Sequence, residues 1–109
     1  MALDMYMGAF CRNILRFGFR VEKIHSAERD EIYRSVRDRG EEFPALQELS
    51  EQFWDGPIFE PLHCKVLADE LQALKLLVND PDLPASIDRI RTFFLLAHEK
   101  KQTVYCHSD

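Results

Sequence analysis

The sequence predicts a helix-rich α+β domain, with about four helices against a small antiparallel sheet made of an N-terminal hairpin and a C-terminal strand. Three observations predict it. Leu15, Phe17, Phe19 and Val21 alternate with Arg16, Gly18, Arg20 and Glu22, the period of two that puts one strand face on a core. Cys64, Leu67, Leu71, Leu74 and Val78 recur at helical spacing, with Leu77 widening the stripe. Thr103-Val104-Tyr105-Cys106, β-branched and aromatic, reads as a closing strand. The competing architecture is an all-α bundle, because Leu3, Tyr6, Met7, Phe10, Ile14 and Phe17 also form one helical stripe.

The elements follow in order. Leu3 to Phe10 is read as a strand that pairs with residues 15–22 through a turn around Cys11-Arg12-Asn13. Ser26 is an N-cap residue type and opens a helix to Arg39, ended by Gly40. That helix has a thin apolar face of Ala27, Ile32, Tyr33 and Val36, and its Arg34 stands at ion-pair spacing from Asp30 and Asp38. A second helix runs from about Phe43 to Trp54 with Leu46, Leu49 and Phe53 inward, and Asp55-Gly56-Pro57 breaks it. A third starts near Pro61, which a first helical turn tolerates. After the loop from Asn79 to Pro84, a fourth from about Ala85 to Lys101 buries Ile87, Ile90, Phe93, Phe94 and Ala97.

The 109 residues are 46% hydrophobic and 30% charged, with 4 Gly and 5 Pro, a composition that excludes fibrous and low-complexity classes. No repeat or Ser/Gly linker divides them, so residues 1–109 are read as one domain. The net charge of −5 argues against generic binding to nucleic acid or anionic membrane and favours a basic protein partner. The opening Met1-Ala2-Leu3-Asp4 has no basic, long apolar start, so a cytoplasmic location is expected. Cys11, Cys64 and Cys106, odd in number and widely spaced, are then expected to be reduced thiols.

Candidate chemistry is sparse. His63-Cys64 and Cys106-His107 hold zinc-ligand atoms, but adjacent residues on a helix or strand point apart, and Cys64 already serves the apolar stripe. No metal or cofactor is therefore expected. The chain contains no G-x-S-x-G, P-loop, G-x-G-x-x-G or H-E-x-x-H motif. His98 lies at the rim of its helix's apolar face, a boundary position rather than that of a catalytic base. Arg16 and Arg20 fall on the strand face opposite Phe17 and Phe19, which argues against an RNA-binding sheet.

The charge distribution is the informative feature. Residues 1–25 carry +2, residues 26–60 carry −6 and residues 61–109 carry −1. Between Gly40 and Cys64 there is no Lys or Arg, while Glu41, Glu42, Glu48, Glu51, Asp55 and Glu60 are all acidic. Glu48, Glu51 and Asp55 stand at i, i+3 and i+7, nearly opposite Leu46, Leu49 and Phe53, with Trp54 beside them. A solvated helix face accounts for such a run. So does a docking surface for a basic protein, which would relieve the repulsion of tenths of a kcal/mol per like-charged pair.

In length, acidity, reduced cysteines and helix-rich pattern the chain resembles the immunity proteins of bacterial polymorphic-toxin and contact-dependent growth inhibition systems. Met1 to Tyr6 and Trp54 to Leu62 are similar to stretches of small bacterial proteins. The resemblance implies binding and neutralisation of a cognate toxin domain, a basic nuclease among the possibilities, and it carries over no functional residue. Two other classes stay open: a structural or regulatory homo-oligomeric subunit, and a small cysteine-dependent enzyme.

Overall fold

A computed structural model describes residues 2–8, 21–78 and 81–108. The fold is α+β, with four helices and a four-stranded antiparallel sheet among the described residues. In chain order they are β1 (Ala2–Gly8), β2 (Val21–His25), α1 (Ser26–Val36), α2 (Pro44–Glu51), a 3₁₀ turn (Phe53–Asp55), β3 (Ile58–Phe59), α3 (Pro61–Lys75), α4 (Leu83–Glu99) and β4 (Thr103–Ser108). The sheet order is β2-β1-β4-β3, so the C-terminal strand lies inside the sheet rather than closing its edge.

Alternation decides the first element. Leu3, Met5 and Met7 are buried while Asp4 and Tyr6 are only half-buried, so Ala2–Gly8 is a strand and the helical stripe is not realised there. The register sets Leu3 opposite Ile24, Met5 opposite Cys106 and Met7 opposite Val104, one apolar layer beneath the helices. The hairpin partner is Val21–His25. The strand expected over 15–22 and its turn at 11–13 lie outside the described residues, Val21 and Glu22 excepted.

Several helix limits differ from those expected. His25, not Ser26, is the N-cap of α1: its N–H donates to Glu28 Oε1 at 2.9 Å, and Ser26 is already helical. The helix ends at Val36 rather than Arg39, and a turn follows. Arg34 pairs with Glu31 at 2.6 Å and reaches only the backbone carbonyl of Asp30. The helix expected over 43–54 stops at Glu51, because Phe53 turns fully into the core through the 3₁₀ turn and Gly56 closes it with φ 64°. In α3 the stripe holds through Leu74, but the helix ends at Lys75; Leu77 is exposed, and Val78 is a loop residue partly buried on the core. α4 starts at Leu83, two residues before Ala85, with Pro84 in its first turn.

α3 and α4 pack along each other and cover the apolar face of the sheet. Phe59 meets Phe94 edge-on at 5.9 Å, and Phe93 meets Phe94 at 6.0 Å. Lys75–Asp88 (2.9 Å) joins their far ends, and His98 Nδ1 lies 3.1 Å from the Pro61 carbonyl at the near end. Because a carbonyl only accepts, that contact places the ring proton on Nδ1. Leu71 is fully buried at the centre of the α3 stripe. Replacing it with Ala is expected to lower stability by about 2–5 kcal/mol in denaturant unfolding; a loss below about 0.5 kcal/mol would show that the stripe is not the core.

Candidate functional site: an acidic surface on a helix held at both ends

α2 has eight residues, too few to be stable alone, and its own sequence caps neither end with a side chain. Neighbouring helices do so instead. From α3, Glu70 Oε1 accepts the Leu46 N–H at 2.9 Å and Oε2 accepts the Ala45 N–H at 3.1 Å. From α1, Arg29 Nε and Nη2 donate to the Ser50 carbonyl at 3.0 and 2.8 Å, while the guanidinium lies over the Tyr33 ring. The anion sits at the positive end of the helix dipole and the cation at the negative end.

Glu70 is only 9% exposed. Burial pushes its carboxyl above the usual range, against the two amide hydrogen bonds and nearby His63, which favour the anion. A second junction gathers on Arg89 of α4. It donates to the Lys23 carbonyl and to both oxygens of Glu28, and it lies 3.5 Å from Glu22. Burial raises the Glu28 carboxyl, but hydrogen bonds from Arg89, Ser86 and the His25 amide outweigh it and leave it lowered.

On this frame the acidic residues point to solvent. Glu41 and Glu42 are exposed on the turn before α2, Glu48 and Glu51 on α2, and Asp55 and Trp54 on the 3₁₀ turn. Because the α-helix stops at Glu51, Asp55 does not continue the i, i+3 row of Glu48 and Glu51; the expected single helical face is two adjoining pieces. Trp54 is 44% exposed, edge-on to Phe53 at 4.8 Å, and its carbonyl accepts the Ser108 hydroxyl. The ring is therefore seated from below and open above. Exposed Ile58, which the sequence reading did not single out, follows on β3. Glu48 lies 3.8 Å from His63 Nε2, a tie between α2 and the start of α3 when the ring is protonated.

The other candidates behave differently. Cys64 and Cys106 are buried free thiols; burial pushes Cys64 up to about 12 and raises Cys106 as well. Cys64 Sγ faces the Phe59 carbonyl at 3.7 Å, His63 stacks edge-on against Phe59, and His107 is exposed. Cys106 and His107 are thus split between core and solvent, and among the described residues no three His, Cys, Asp or Glu side chains gather for a metal ion. A cleft of about 420 Å³ between α1 and the end of α3 has an apolar floor of Leu74, Leu77 and Leu83, and its rim mixes Glu31 and Asp38 with Arg34 and Arg39. Among the described residues, no helix is long and apolar enough to cross a membrane. Cys11, Arg12, Arg16 and Arg20 lie outside the described residues. No family model, curated protein or solved structure matches this chain.

Two outcomes follow from the buried groups. Glu70→Gln keeps one acceptor for two amides and is expected to lose about 1–3 kcal/mol. Since the folded-state carboxyl titrates above its unfolded value, its contribution is greatest at low pH and falls as pH rises through the folded value. The stability gap between wild type and E70Q, from urea midpoints at about pH 4 and about pH 7, should therefore shrink with rising pH. A gap that widens would contradict the burial assigned here. In a Cys11→Ser background, the native protein should react with a thiol reagent only at its unfolding rate. Rapid modification of Cys64 or Cys106 would favour the cysteine-enzyme class.

Proposed function

We propose that this chain is a protein-binding domain that docks a basic partner on the surface formed by Glu41, Glu42, Glu48, Glu51, Trp54 and Asp55. The observation that carries the reading is the exposed Trp54 ring next in the chain to a run of exposed acids, of which Glu48 is tied to His63. Glu48 and Glu51 stand in the last turn of α2, where the helix dipole disfavours negative charge. They also repel each other at i, i+3 spacing. A cationic partner removes both costs, and a tryptophan set among charges is the residue type that most often anchors such contacts.

Within that class, we propose the neutralisation of a bacterial toxin domain as the specific activity. Support for it is the acidity and the helix-rich α+β pattern. An acidic surface suits the inhibition of a basic enzyme because complementary potentials speed encounter.

The test begins with the tagged chain purified from its host at low salt, its partner identified and then made recombinantly. Reversing Glu48, Glu51 and Asp55 to Lys is expected to slow association by roughly tenfold or more and flatten its salt dependence, with stability nearly unchanged. Trp54→Ala should weaken binding while the fold persists. Unchanged affinity and salt dependence in the triple variant would sink the docking reading. Co-expression with a toxic domain encoded immediately upstream decides the narrower claim: growth restored supports it, and toxicity untouched removes it.

A further inference from the structure

α3 is apolar on two sides. One side is the buried stripe already described. The other carries Leu62, Val66, Ala73 and Leu76, all exposed, with Leu62 72% and Leu76 78% open to solvent. Together with Asp69 these residues are spaced 4-3-4-3, the recurrence that aligns side chains along one seam of a helix. Leu76 belongs to the row because, although it is the C-cap, its backbone keeps helical geometry at φ −75° and ψ −15°. A second apolar row on a helix that already buries one is a surface another element can cover. Here only one side is covered by the described residues.

We infer that the outward seam of α3 receives an amphipathic helix of the partner, with apolar residues at matching 3-4 spacing and a Lys or Arg opposite Asp69. The helical form follows from the seam: rows at this spacing interdigitate with the same rows on another helix. The basic character rests on the docking reading above and on the charges at the seam. Asp69 sits at its middle, with its carboxylate held by Lys65 at i−4. Glu60, exposed at the N-cap, and Glu48, tied to His63 one residue after Leu62, bring the acidic surface to its start. A second copy of this chain fits less well. Any symmetric pairing that uses the whole seam sets Asp69 against Asp69, whether the helices run parallel or antiparallel.

The probe is a synthetic peptide of about 16 residues, helical by composition, with Leu at 3-4 spacing, Lys elsewhere and one Lys within the Leu row. A scrambled peptide of the same composition removes the seam, and a Glu-for-Lys peptide removes the charge. Fluorescence anisotropy is expected to show saturable binding of the first peptide only, weakened roughly tenfold or more by L62Q/V66Q, whose side chains are exposed and whose loss should spare the fold. Circular dichroism of that variant checks the fold, and L76Q gives a second test at the opposite end of the seam.

If the scrambled peptide binds as well, and E48K/E51K/D55K abolishes binding while L62Q/V66Q does not, the docking reading stands and the seam is overturned. Equal binding of the Glu peptide overturns the basic character of the occupant. No saturable binding overturns the inference, while the association kinetics of the recombinant partner still judge the docking reading. Sedimentation showing a dimer that L62Q/V66Q converts to a monomer would assign the seam to a second copy instead.

Discussion

The surface architecture depends on how α2 is held. A helix of eight residues leaves nearly all of its end groups without internal partners, and isolated pieces of that length do not persist in water. Here the first-turn amides meet the Glu70 carboxylate and the last-turn carbonyl of Ser50 meets Arg29. Each contact is charge-assisted, although burial offsets part of what the Glu70 carboxylate gains. They come from different helices, α3 and α1, so they fix the axis of α2 as well as stabilising its ends. Leu46 and Leu49 then complete the packing.

That clamp determines where the acids go. With Leu46 and Leu49 turned inward, Glu48 and Glu51 must face out, and the chain leaving α2 must bury Phe53 at once. The tighter 3₁₀ turn achieves this and leaves the next residue, Trp54, on the outside. Gly56 reverses the chain into β3 with a positive φ that a side chain would strain; a Cβ there would also come within 3.1 Å of the Cys106 carbonyl. The exposed tryptophan is therefore the consequence of a buried phenylalanine beside it. Truncating its ring removes little core.

Much of this was legible in the residues, and the failures have local causes. The apolar spacings of α3 and α4 are long and regular, so their cores were read correctly through Leu74 and Ala97. β2 was not seen as far as His25, because the register puts Glu22 on the same face as Ile24, where alternation demands an apolar residue. Arg89 resolves that conflict from 67 residues away by meeting Glu22 and Glu28 together. A separation of 24 to 25 residues hides Glu70 as well, which in sequence is one more charge on a helix and in space is the N-terminal cap of another. β3 has two residues, too short to show any period. The acidic residues were legible as exposed and Trp54 only as their neighbour, open to a core or a surface reading; the single helical face expected for them is not realised, since the break after Glu51 comes from the packing of Phe53.

The two sides of α3 show where the reading of sequence stops and packing begins. Cys64, Leu67, Leu71 and Leu74 recur at 3-4-3 spacing, and Leu62, Val66, Asp69, Ala73 and Leu76 recur at 4-3-4-3. Periodicity offers both rows to the core. What separates them is polar. Glu70 lies on the flank of the first row, and its carboxylate is useful only if that flank faces the N-terminus of α2. Asp69 lies within the second row, and its charge is tolerable only if that side meets water or a cation. One pair of adjacent acids therefore orients the whole helix, with one carboxylate turned in to hold α2 and the other turned out beside Leu62 and Val66. The apolar side chains left outside add nothing to this orientation. Among the described residues, nothing packs over Leu62, Val66 and Leu76.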